Sequence, residues 1–250
     1  MYRRSSISVA LLMLAVTPAR ATSIVILRSP DAIYVGADSR RTYRKPGKTY
    51  AGSVCKIVPA GRFIFLASGL TYANGQQVSE LGVAAARDQR TAADAIGALR
   101  LRLTSFLPNA IVAEDQVEQT RDRRGGRVVL EAAYVGFRNG IAEVVFEWFG
   151  QDSGRALLSD RRIYDSPVPG RYDFIFAGRR RAIDGYMAQH SVRIGGDLDA
   201  IRFITQAIRM EIAESPQSTA PPIDILQITA AGRRWLQHKP GCEITEAPPP

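Results

Sequence analysis

The chain has 250 residues, 33 Lys+Arg against 24 Asp+Glu, and a formal charge of +9. Its hydrophobic content of 46% and charged content of 23% exclude a disordered chain, a coiled coil and a multi-pass membrane protein. His190, His238, Cys55 and Cys242 are too few for a zinc finger, a His-rich metal site or a disulfide-dense scaffold, and nothing in the sequence calls for a cofactor. Four of the basic residues are Lys (Lys45, Lys48, Lys56 and Lys239) and the rest are Arg. A coding bias toward Arg is the bland explanation. Its corollary is that a Lys at a chemically meaningful place carries more information here than in an average chain.

Residues 1–21 read MYRRSSISVALLMLAVTPARA. Arg3 and Arg4 precede a short apolar run, Thr17-Pro18 breaks it, and Ala19-Arg20-Ala21 fits a small-x-small cleavage site. The run is short for a bilayer span. The segment therefore reads as a signal peptide. The mature protein is expected to be exported, periplasmic or secreted, to begin at Thr22, and to keep no stable membrane span after cleavage. An exported protein can form disulfides. Cys55–Cys242 is one possibility, and a lone buried thiol at Cys55 is the other.

In chain order, strands are expected at Thr22–Leu27 and Ala32–Ala37 around a Ser29-Pro30-Asp31 turn. Arg41–Gly52 reads as a loop or small ribbon. Ser53–Val58 and Arg62–Ser68 are further strands about Pro59-Ala60-Gly61. The period then turns helical over Asn74–Arg87 and Thr91–Phe106, with Thr91 as a cap and Pro108 after the end. Gln119–Arg127, charged and Gly-containing, is expected to be an exposed hairpin loop. Val128–Phe137 and Ile141–Phe149 form a hairpin through Asn139-Gly140. Strands at Ala156–Ser159 and Tyr172–Ala177 precede helices at Arg179–Gln189 and Leu198–Ala213, the second capped by Asp197. Ile223–Ile228 is expected to be the last strand. One domain over 22–240 and a disordered tail over 241–250 complete the outline. Strand runs alternating with helix pairs predict an α+β fold: two antiparallel sheets face to face, with a helix pair outside each.

Chemistry concentrates on Thr22, Asp38-Ser39-Arg40, Lys56 and Ser68-Gly69. Thr22 reads simply as a strand start until cleavage after Ala21 gives it a free α-amine beside its hydroxyl. With a reference pKa of about 7.7–8, that amine is a usable base near neutrality. Base and nucleophile then share one residue. A Lys56 ammonium near the hydroxyl would stabilise its alkoxide-like form and depress the amine's pKa. Asp38 can hold Lys56 by a charge-assisted hydrogen bond, and the Gly69 N–H is a candidate oxyanion donor. Taken singly, these residues are more ordinary: a turn Asp, a solvated Lys, a bend Gly.

Together, Thr22-Ser-Ile-Val-Ile, Ile33-Tyr-Val-Gly-Ala-Asp-Ser-Arg-Arg-Thr42, Cys55-Lys56-Ile57 and Leu66-Ala-Ser-Gly69 resemble the proteasome β-subunit-like branch of the N-terminal nucleophile (Ntn) hydrolases. The likeness is strongest over Thr22–Gly75 and continues loosely into Ile223–Thr229. It implies a four-layer αββα sandwich and threonine-type amide hydrolysis, with a peptide or small amide as substrate. By position, Thr22 looks like the nucleophile, and Asp38 and Lys56 like its charged partners. Arg40 looks like the residue beside them and Gly69 like the oxyanion glycine. The family's further supporting residues would fall in 176–181 and 211–219, where Glu211, Glu214 and Ser218 are the candidates. The family's rings make a homo-oligomer possible.

A Ser-His-Asp hydrolase is disfavoured, since neither His has a nucleophile elbow nearby. Cys55 is disfavoured as a nucleophile because strand alternation would turn it away from Lys56. The basic runs at 121–127 and 178–181 lack interleaved aromatics, so no nucleic-acid partner is expected. The rival class is a catalytically weak or inactive exported binding or assembly module on the same fold.

Overall fold

A computed structural model describes residues 22–45, 48–73, 75–113, 120–121, 127–151, 157–164 and 166–242. The expected signal peptide, most of the 119–127 loop and tail residues 243–250 lie outside the described residues. What is described is a mixed α+β fold with antiparallel sheets and four helices.

The chain enters on the hairpin of β1 (Ser23–Arg28) and β2 (Ile33–Asp38). Every residue of both strands is buried, which explains their near-continuous apolar character. β3 (Arg40–Lys45) and β4 (Lys48–Ser53) make the small ribbon. β5 (Ile57–Ala60) and β6 (Phe63–Gly69) pair next. A short pair follows, β7 (Tyr72–Ala73) and β8 (Gln76–Gln77), before α1 (Val78–Ala86) and α2 (Ala92–Ala113). β9 (Thr120–Arg121), β10 (Arg127–Arg138), β11 (Ile141–Gln151), β12 (Leu157–Ile163) and β13 (Asp173–Gly178) lead to α3 (Arg181–Gln189) and α4 (Asp197–Glu214). β14 (Ile223–Thr229) and β15 (Gly232–Gln237) end the order.

One sheet runs β13-β1-β2-β14-β15 and the other β12-β11-β10-β6-β5, with β9 beside β10. Three apolar clusters account for the packing. α1 and α2 cover the second sheet through Ile96, Leu99 and Leu103 against Phe65, Leu130 and Tyr134. α3 and α4 cover the first through Ile183, Phe203 and Ile204 against Val25, Leu27 and Ile225. Ile24, Ile26, Val35, Ile64, Leu66 and Val135 join residues of both sheets in a third cluster.

Several expectations need correction. Residues 54–56 are not strand: the Val54 N–H donates to Ser39 O at 2.9 Å, away from any ladder, so β5 starts only at Ile57. Pro59 and Ala60 belong to β5, and the turn comes at Gly61, with φ +62°. α1 starts at Val78 because Gln76–Gln77 pairs with Tyr72–Ala73 as β8 with β7. α2 runs through Pro108 to Ala113. Fully buried Leu107 and Ala110 favour continuing the helix despite about 3 kcal/mol of proline penalty. Gly196 is the N-cap of α4. The Asp197 carboxylate instead accepts the Tyr34 hydroxyl and, at 3.2 Å, the Gln227 side-chain amide. β14 is not the last strand: β15, with Arg233 and Arg234, pairs at the sheet edge, where charge is tolerated. Asn139 and Gly140 take φ of 53° and 77°, the left-handed pair expected of an Asn-Gly turn.

Candidate active site

Thr22 lies immediately before β1 and is only 4% exposed. Its carbonyl accepts the Arg179 N–H at 2.6 Å, just past the end of β13. Gly178 makes this approach possible. With φ +75°, it holds its α-carbon where an added Cβ would stand 2.1 Å from the Thr22 oxygen. Only glycine fits both the conformation and the space.

Asp38, fully buried at the end of β2, organises the surroundings. Its Oδ1 accepts the Ser23 N–H and the Lys56 ammonium, each at 2.7 Å. Its Oδ2 accepts the N–H groups of Arg40 at 3.0 Å and Ala220 at 3.3 Å. The carboxylate thus ties the residue after Thr22 to Lys56. The Lys56 side chain is 5% exposed. Burial pushes its pKa down to about 8; Asp38 opposes that shift, and the positive charges of Arg41 and Lys239 add to it. An ammonium poised to lose its proton close to neutrality is a common signature of a working site.

Gly69 closes β6 with φ +96°, and a Cβ there would lie 2.4 Å from Val129 O. Thr22, Lys56 and Gly69 all line one small, open cleft, with Arg41, Thr42 and Cys55 on its wall. Val58, Phe65 and Ala67 add an apolar part. Neither a family model nor a curated protein sequence matches the chain, so the site stands on this geometry.

Of the residues singled out from sequence, Thr22, Lys56 and Gly69 share the cleft and Asp38 sits behind Lys56. Arg40 contributes its backbone N–H to Asp38, while its guanidinium donates to Pro216 O. Glu211 receives the Ile183 N–H at 2.9 Å and has its pKa raised by burial; it fastens α3 to α4. Glu214 faces Arg181 at 3.7 Å, and the Ser218 hydroxyl donates to Ser215 O within its own turn. Cys55 is not turned away from Lys56, since both line the cleft; the alternation argument fails because residue 55 is not in a strand.

Two features escape the motif reading. Glu131 of β10 is 6% exposed, and its Oε2 accepts the Ser68 hydroxyl at 2.8 Å and the Gly178 N–H at 2.5 Å. It therefore links the residue before Gly69 to the glycine that seats Thr22. The signal was a lone acid in the apolar run Val128-Val-Leu-Glu-Ala-Ala-Tyr134. The second feature is the 239–242 segment. The Lys239 ammonium donates to Val54 O at 2.6 Å, Ser39 Oγ at 2.7 Å and Asp224 Oδ2 at 3.0 Å. The Cys55–Cys242 disulfide is formed, so residues 241 and 242 are placed rather than part of a disordered tail. Both the ammonium and the disulfide brace the residues flanking Asp38 and Lys56. Lys239, one of four Lys in the chain, deserved the weight that scarcity gave Lys56.

Among the described residues, no group of three or more His, Cys, Asp and Glu could hold a metal, and no helix is long and apolar enough to cross a membrane.

Proposed function

We propose that this protein is an exported Ntn-type hydrolase that cleaves an amide bond, with Thr22 as nucleophile after signal peptidase removes residues 1–21. The observation that carries the reading is the meeting of Thr22, Lys56 and Gly69 on one cleft, with Asp38 buried behind the lysine. Two helix pairs on two facing sheets suit the four-layer αββα arrangement of that class.

The chemistry follows from the residues. The freed α-amine takes the Thr22 hydroxyl proton as Oγ bonds to the substrate carbonyl carbon. The Lys56 ammonium stabilises the developing negative charge on Oγ and holds the amine's pKa down. Charge builds on the carbonyl oxygen, where a backbone N–H is the natural donor. Gly69, which ends β6 on the wall of the cleft, is the candidate to supply it. The C–N bond then breaks, and the leaving amine takes the proton from the α-ammonium. Water, deprotonated by the same amine, hydrolyses the Thr22 ester and restores the site.

N-terminal sequencing of the exported protein should read Thr-Ser-Ile-Val. Exposure to an epoxyketone or β-lactone should give an adduct on Thr22 by mass spectrometry. Thr22→Ala and Lys56→Ala should each reduce acylation by about a hundredfold or more. A different N-terminus, or no adduct together with undiminished hydrolysis in both variants, would leave only a non-catalytic module on this fold.

A further inference from the structure

We infer that Glu131 is a positioning residue for the Thr22 reaction, holding the nucleophile of one sheet in register with the oxyanion glycine of the other. The inference rests on Thr22 being the nucleophile. The two groups come from different sheets. Thr22 precedes β1, and Gly178, which seats it, ends β13 of the same sheet. Gly69 ends β6 of the other sheet. Main-chain ladders fix positions within each sheet but not across the gap between them. The packing in that gap is apolar and therefore non-directional: Ile64 and Leu66 of β6 and Ala133 and Val135 of β10 meet Ile24, Ile26 and Ala177.

Glu131 stands in that same layer. By strand alternation it shares a face of β10 with Ala133 and Val135, and Ser68 shares a face of β6 with Ile64 and Leu66. Glu131 and Ser68 pair directly in the ladder. A carboxylate thus ends a stripe whose other members are apolar, at a position only 6% exposed, where an aliphatic side chain would pack without a polar group to satisfy. Its Oε2 makes two directional bonds that the apolar layer cannot supply. Toward the first sheet it accepts the Gly178 N–H at 2.5 Å, and the next main-chain donor, the Arg179 N–H, holds Thr22 O at 2.6 Å. Toward the second it accepts the Ser68 hydroxyl at 2.8 Å. Gly69 therefore lies between two residues tied to β10, Ser68 through Glu131 and Leu70 through its N–H to Val129 O at 2.8 Å. A glycine has no side chain with which to fix its own N–H, so its neighbours must do so. A misplacement of about 1 Å in such a site costs about a hundredfold in rate.

The test is β-lactone labelling of Thr22 in the exported protein, with the maximal rate and the half-saturating probe concentration measured separately. Glu131→Leu removes the acceptor at similar volume. It should lower the maximal rate by about 10–100-fold and move the half-saturating concentration by no more than about threefold. Glu131→Gln keeps an oxygen for both donors and should restore most of the rate. Ser68→Ala cuts only the arm toward Gly69 and should cost about 3–10-fold, the usual worth of one hydrogen bond. Added to Glu131→Leu it should cost nothing further, since its bond is already gone. Val135→Ala, four residues along the same face of β10, controls for a merely structural role: its cavity should lower stability in urea and leave the maximal rate within about threefold of wild type. A wild-type maximal rate in folded Glu131→Leu, a loss confined to the half-saturating concentration, or an equal loss of rate in Val135→Ala would overturn the positioning role and leave the Thr22 chemistry standing. Should Glu131→Leu fail to fold, Ser68→Ala decides: the stated loss supports the role and a wild-type rate overturns it. No adduct on Thr22 in the wild-type protein would overturn both.

Discussion

Asp38→Asn is the most informative single change, because one buried carboxylate serves four donors. Oδ1 takes the Ser23 N–H and the Lys56 ammonium; Oδ2 takes the Arg40 and Ala220 N–H groups. However an Asn amide is turned, its NH2 meets two donors. Lys56 is left with no formal counter-charge at the position Asp38 held, in a site where the two side chains are 5% and 0% exposed. Removing one partner of a buried pair costs about 3–5 kcal/mol, a large share of a total stability of about 5–15 kcal/mol. The function should suffer too, since Asp38 is what holds the Lys56 pKa up against burial. Without it the Lys56 pKa falls further, less of the ammonium is present near neutrality, and labelling of Thr22 should fall by about a hundredfold or more. A double-mutant cycle separates the pair from the four-donor geometry. Asp38→Asn, Lys56→Met and the double variant would be unfolded in urea with the disulfide intact. Coupling of about 2 kcal/mol is expected, because the double variant leaves neither buried charge alone. Additivity within about 0.5 kcal/mol would show that the 2.7 Å contact contributes little and would refute the reasoning.

The rate of Thr22 labelling should be bell-shaped in pH. The α-amine must be unprotonated, so the rate rises through an amine pKa pulled below its reference of about 7.7–8 by the Lys56 charge. The ammonium is present below its own pKa and lost above it, so the rate falls through about 8 on the alkaline side. A rate still climbing at pH 10 would rule out a role for charged Lys56. Gly178→Ala should destabilise by about 1–3 kcal/mol from its φ of +75° alone, and by more from the 2.1 Å contact with Thr22 O. It should also slow labelling more than Gly140→Ala, whose φ is also positive, at +77°, but which has nothing within 4 Å; equal effects on both measures would refute the seating role. Replacing Cys55 and Cys242 together by Ser should lower stability in denaturant by about 2–5 kcal/mol, toward the upper end because 187 residues separate them. A loss below about 1 kcal/mol would mean the 239–242 segment holds without its bond.

The two kinds of information in the sequence differ in how far they reach. Periodicity located the β1–β2 hairpin, the β10–β11 hairpin and all four helices, because each has an apolar pattern that no tertiary contact reverses. It missed β15, where an edge strand carries Arg233 and Arg234 and buries little. It also joined Ser53, the end of β4, to the start of β5 as one strand, because Val54, Cys55 and Lys56 look like strand residues but give their polar groups to Ser39, Lys239 and Asp38. Spacing brought Thr22, Asp38, Lys56 and Gly69 together, since all four lie at or near ends of consecutive paired strands, which the hairpins return to one region. Glu131, Gly178 and Lys239 meet partners 47 to 200 residues away in sequence, and no local pattern encodes such contacts. A lone Glu in an apolar strand and a Lys in a Lys-poor chain were the available signals. Burying a charge is so unfavourable that either one, placed where the pattern predicts core, already demands a partner. In this protein those partners sit next to Gly69 in one case and next to Asp38 in the other, so the long-range polar contacts converge on the ground that the short motifs marked.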